Sequence, residues 1–167
     1  REEISPAERT TAERSFSERL WGHPGLRPVS STTAQPATPL LAYRWVDTDR
    51  ALADQLALES EGQAGTLSPG HAAVRFTNPT TGGDVLPTMR TEMHRVRAGA
   101  ATRLQREVGS SVYQVFDGGG SVTVGERTWR VERGDLFVVP SWQPFSAQAS
   151  TDGALDLFRF SDSPIFE

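Results

Sequence analysis

Hydrophobic and polar positions divide the chain into a polar N-terminal quarter and a patterned remainder. Over Arg1 to Pro39 apolar residues follow no period. The stretch Pro28–Pro39 (PVSSTTAQPATP) is rich in Ser, Thr and Pro and reads as linker. A short helix over Pro6–Leu20 is the one element predicted there. Residues 1–39 are therefore read as a flexible extension and 40–167 as the folded domain. Leu40–Trp45 (LLAYRW) is apolar enough to be anchored, as a first strand or an arm. A helix follows, with Asp47 or Thr48 as its N-cap, Leu52 and Leu56 one turn apart on its apolar face, and Gly62 as its stop. That face should lie against the rest of the domain.

From His71 onward the period changes to two. Strands are predicted over His71–Thr77, Thr88–Val96, Val112–Phe116, Ser121–Val124, Thr128–Val131, Leu136–Val139 and Ala154–Phe160. Asn78–Asp84 is a turn cluster, Gly125-Glu126-Arg127 a hairpin signal, and Asp117-Gly118-Gly119-Gly120 a strand terminator rather than a phosphate loop. Short strands at regular spacing predict an all-β barrel or jelly roll with one short helix.

Composition narrows the chemistry. There is no cysteine among the 167 residues, which removes disulfides, thiolate catalysis and Cys-ligated metals. All 17 basic residues are arginine, a coding bias, and the formal charge of −4 argues against a nucleic-acid partner. No apolar run has the length of a membrane span and no signal-peptide core is present, so a cytoplasmic protein is expected. The first residue is Arg1 rather than Met, as a fragment or processed product would show.

Gly99 to Gly118, followed by Gly134-Asp135 and Pro140, resembles the two motifs of the cupin superfamily. The resemblance implies a double-stranded β-helix, with glycines where positive φ is useful. Laid on the motifs, Gln105, Glu107, Ser111 and Phe145 fall at the family's metal-ligand positions. They supply one carboxylate and no imidazole, so no metal and no catalytic residue is expected in this chain. His71–Thr88 (HAAVRFTNPTTGGDVLPT), Phe137–Trp142 and Phe160–Pro164 further resemble the C-terminal cupin of gentisate 1,2-dioxygenases, with departures at Gln105-Arg106-Glu107, Glu92 and Arg95. Those enzymes are bicupins that open 2,5-dihydroxybenzoate with O2 at a non-haem Fe(II) held by the N-terminal cupin. The resemblance implies a second half serving assembly and site shaping. Its partners would be a catalytic cupin half and further copies of the chain, joined through the barrel and N-terminal arm. A stand-alone cupin binding a small aromatic acid is the rival expectation.

Candidate pocket residues are Gln105, Glu107, Tyr113, Trp142, Phe145, Arg90 and His94. Tyr113 and Trp142 also suit ordinary core and rim positions. Arg90, Arg95, Arg97, Arg103 and Arg106 suit either a carboxylate ligand or a solvated, ion-paired edge, and the second is favoured. Period two puts Arg90, Glu92, His94 and Val96 on one face and Met89, Thr91, Met93 and Arg95 on the other. Methionine prefers the interior, which favours His94 outside. His23 is expected in solvent and His71 at a turn. Nothing in the spacing joins His71 to His94.

Overall fold

The structure is a computed structural model that describes residues 43–78 and 81–167. The readings of the N-terminal extension, of the helix over Pro6–Leu20, of the domain boundary, of His23 and of Leu40–Ala42 lie outside those residues, while Tyr43 and Arg44 belong to no strand and Trp45 begins a helix. Trp45–Glu167 form one compact unit.

Helix α1 spans Trp45–Ser60. It begins upstream of the expected caps, so Asp47 lies within the first turn, where a carboxylate complements the helix dipole. Gly62 ends it at φ 79°, its N–H donating to the Glu59 carbonyl at 3.0 Å. Leu52 is 0% exposed and packs with Ala72 and Met93, flanked by Leu56 and Phe158.

Seven strands follow: β1 His71–Arg75, β2 Arg90–Val96, β3 Ser111–Val124, β4 Arg127–Glu132, β5 Leu136–Val139, β6 Phe145–Ala149 and β7 Leu155–Ser161. A 3-10 turn over Ser163–Phe166 closes the described chain. All pairings are antiparallel, and the fold is a cupin jelly roll. The long strand β3 threads both layers. Its first part lies between β5 and β7, its second between β4 and β6.

That continuity corrects the sequence reading, which split β3 in two at the glycines. A register shift between Val115 and Asp117 bends the strand instead. A Cβ on Gly118 would overlap the Ala154 carbonyl, and one on Gly120 the Gln148 carbonyl. The glycines let neighbouring backbones close on the corner. Strand β6 was not predicted at all. The positive φ expected at Gly99, Gly118 and Gly134 is present, at 72°, 76° and 96°.

Strand β2 is buried on both faces, which overturns the assignment of His94 to the outside. Its Glu92–His94–Val96 face points into the barrel, where Val96 joins Tyr113, Val115, Phe145, Leu155 and Leu157. The opposite face carries Met93, and α1 covers it. Methionine therefore found an apolar environment outside the barrel, and its preference for burial did not discriminate between the faces. Among the described residues strand β1 is an edge. Gln55 of α1 caps that edge with an amide–backbone pair to Ala73, at 2.9 and 3.1 Å.

Candidate functional site

The four positions aligned with the cupin ligands converge. Gln105 and Phe145 form an isolated antiparallel bridge, exchanging backbone hydrogen bonds of 3.0 and 2.9 Å. Glu107 follows Gln105 on the same strap, and its carbonyl accepts the Trp142 N–H at 2.8 Å. Ser111 opens β3, with Tyr113 next on its inward face. Gln105, Glu107, Ser111, Tyr113 and Phe145 line one narrow cleft of about 10 Å³. That is room for at most a single water and far too little for an aromatic acid.

Arg159 of β7 fills the space. It is 5% exposed, and β7 puts it on the barrel face shared by Leu155 and Leu157. Its Nε and Nη2 donate to Ser111 Oγ at 3.0 and 2.9 Å. Its Nη1 donates to Glu92 Oε2 at 2.8 Å and its Nη2 to the Glu107 carboxylate. The guanidinium carbon lies 5.7 Å from the Tyr113 ring centroid, within cation–π range. A buried guanidinium is tolerable because two carboxylates and a hydroxyl satisfy it.

The polar cluster continues inward. His94, 5% exposed, places Nε2 at 3.3 Å from Glu92 Oε2 and Nδ1 at 3.0 Å from His71 Nε2. Burial would raise the Glu92 carboxyl, but the bond from His94 and the Arg159 charge overcome it and hold the group at about 2. His71 is lowered to about 4, first by burial and then by His94. With Glu92 ionised, His94 Nε2 donates to its carboxylate, and a single hydrogen joins His94 Nδ1 to His71 Nε2. Burial also pushes the Tyr113 phenol up. That ring stacks between Phe137 and Phe145, at centroid distances of 5.1 and 4.8 Å.

Of the predicted pocket residues, Gln105, Glu107, Tyr113 and Phe145 line this cleft, and His94 reaches it through Glu92. Two do not. Trp142 stands on the rim, 59% exposed at φ 65°. Arg90 is held by Asp84, at 2.9 and 3.0 Å, and by Glu167, at 2.8 and 2.7 Å. It lines a more open recess of about 310 Å³ at the mouth, with Glu92, Glu107 and Arg159. His71 and His94, which no spacing joined, are hydrogen-bonded neighbours. Arg95, a departure from the resembled pattern, pairs with Asp156 at 2.8 and 2.7 Å and with Asp49 of α1 at 2.8 Å.

Sequence reasoning missed Arg159. The signal was present: period two aligns Arg159 with Leu155 and Leu157, and an inward arginine demands buried carboxylates. Among the described residues no three His, Asp or Glu side chains are arranged to hold a metal ion. The donor set at the four aligned positions does not fit the family's iron: an amide, one carboxylate already bound to Arg159, a hydroxyl and a phenyl ring.

No family model matches the chain. It is 58% identical over 159 residues to a gentisate 1,2-dioxygenase from Streptomyces sp, covering 95% of this chain and 44% of that protein. It is 31% identical to a 5-aminosalicylate 1,2-dioxygenase from Comamonas sp, covering 97% of this chain and 42% of the relative. Among solved structures, salicylate 1,2-dioxygenase from Pseudaminobacter salicylatoxidans superposes with a TM-score of 0.76 at 57% identity, over 95% of this chain and 45% of that one. The chain spans about half the length of the curated relatives it matches. It is homologous to gentisate 1,2-dioxygenases over about 44% of the length of the Streptomyces relative and fits the C-terminal cupin half of a bicupin dioxygenase.

Proposed function

We propose that this barrel is the metal-free, non-catalytic cupin of a gentisate 1,2-dioxygenase-like protein, serving assembly and the shaping of a site whose Fe(II) is held by the other half. The observation that carries the reading is the occupied centre: the positions aligned with metal ligands surround the Arg159 guanidinium, with about 10 Å³ left over. The whole protein would open a hydroxylated aromatic carboxylate with O2, the substrate class that the names of its relatives share. Exposed apolar side chains support the assembly role. Leu136 and Val138 point outward from β5, which among the described residues pairs only with β3, and Leu104 and Trp142 are likewise exposed.

Oxygen uptake tests the catalytic part. This chain, supplied anaerobically with Fe(II) and then with gentisate, 5-aminosalicylate or salicylate in air, should consume no oxygen above the protein-free rate. Turnover by the chain alone sinks the reading.

A further inference from the structure

Two carboxylates share one arginine at the mouth of the barrel, and they are not equivalent. Arg90, the first residue of β2, is held side-on by Asp84, through Nε and Nη2 at 2.9 and 3.0 Å. Glu167 takes the same guanidinium end-on, through Nη1 and Nη2 at 2.8 and 2.7 Å. The Asp84 side chain is 13% exposed and that of Glu167 60%. The first pair therefore fixes the plane of the guanidinium, and the second is a surface ion pair that water replaces at little cost. An end-on fork is also how arginine grips a free carboxylate. The recess beside this fork measures about 310 Å³, at the lower end for small-molecule sites and room for one aromatic ring. Val108 and Phe166 line it with exposed apolar side chains. The Phe166 ring backs so closely on Gly109 that a Cβ there would come within 3.2 Å of it. Glu107 lines the recess too, and its Oε1, 3.5 Å from Arg159 Nη1, keeps a lone pair for a hydroxyl donor.

We propose that this recess binds a single-ring aromatic carboxylate bearing a ring hydroxyl, which takes the place of the Glu167 side chain on Arg90. The acid's carboxylate receives Nη1 and Nη2, its ring lies against Phe166 and Val108, and its hydroxyl donates to Glu107. Asp84 keeps its side-on bonds and acts as the positioning residue. The surroundings are acidic, with Asp84 on Arg90 and both Glu92 and Glu107 on Arg159. The exchange nevertheless adds no repulsion, because one negative charge arrives where another leaves. The acid stays outside the guanidinium-filled cleft and needs no metal. The choice of a hydroxylated acid rests on the substrate class proposed above, whereas the exchange on Arg90 does not. The domain would thus hold the acid at its own mouth without reacting with it.

Calorimetric titration with EDTA present tests the exchange, using gentisate, benzoate and the uncharged 2,5-dihydroxybenzamide against the native chain, E167A and R90Q/D84N. The native chain should bind gentisate saturably, and E167A should bind it about threefold to fivefold tighter, the worth of the exposed ion pair that no longer competes. R90Q/D84N replaces the Arg90–Asp84 ion pair by an amide pair and should bind at least about tenfold more weakly than the native chain. Should that variant not fold, R90K, which keeps the charge beside Asp84 and loses the end-on fork, must show the loss instead. The benzamide should not bind, and benzoate should bind more weakly than gentisate. No saturable binding by the native chain, no gain in E167A, or an affinity that ignores Arg90 overturns the proposal. Equal affinity for benzoate and gentisate overturns the hydroxyl contact with Glu107. Failure of the metal-free reading looks different: gentisate binding that requires added Fe(II) and is indifferent to Arg90, or oxygen uptake by the chain.

Discussion

Acid should destabilise this domain through one identifiable group. His71 is buried on β1 against His94, and its proton affinity falls from the ordinary 6.5 to about 4. The unfolded chain therefore binds a proton that the folded chain refuses between those two values. Stability from this source is complete above about pH 6.5 and declines as pH falls toward about 4. At about 1.4 kcal/mol per tenfold change in proton affinity, moving from about pH 7.5 to about pH 5 should remove about 2 kcal/mol. Glu92 does not contribute in that window. Its carboxyl is lowered from 4.5 to about 2, so its contribution is present above 4.5 and is lost only below it. Urea unfolding at the two pH values measures the loss. His71→Gln keeps a side-chain amide against His94 and removes the titration, so the variant should lose much less over the same interval. Equal losses in the native protein and H71Q, or no loss in the native protein, would refute the reasoning.

Further outcomes follow from the corner of β3 and from the exposed rim. Gly118→Ala should destabilise by several kcal/mol or prevent folding, because the new methyl overlaps the Ala154 carbonyl at a positive-φ position. Gly134→Ala, also at positive φ but with nothing within 4 Å of the new methyl, should cost only about 1–2 kcal/mol in the same thermal melts. Leu136→Glu with Val138→Glu should lower the oligomeric mass in light scattering while leaving the far-UV spectrum intact; an unchanged mass removes β5 from the assembly surface.

Much of the fold was legible because its determinants are local. Alternation in Leu155–Ser161, short apolar runs bounded by turn residues in His71–Arg75 and Leu136–Val139, and glycines at 99, 118 and 134 required no knowledge of partners. Leu52 and Leu56 marked the buried face of α1 for the same reason. What failed depended on tertiary context. Phe145–Ala149 (FSAQA) carries a strand pattern too short and too polar to stand out. The triple glycine in β3 reads as a stop locally and acts as a corner only because β6 and β7 close upon it. The inward face of β2 could not be chosen without knowing that α1 covers the other one. The site was legible as a set of aligned positions, which do converge, but its central residue lies far along the chain in β7. Arg159 belongs to no family motif, and only the pairing of β7 with β2 and β3 brings it to Glu92 and Ser111.

Whether this barrel holds iron decides its role. Native chain incubated anaerobically with excess Fe(II), desalted and analysed for elemental iron answers that directly. The guanidinium-filled centre predicts near-zero iron per chain. Close to one iron per chain would contradict it, and would mean that Arg159 yields its place to the metal.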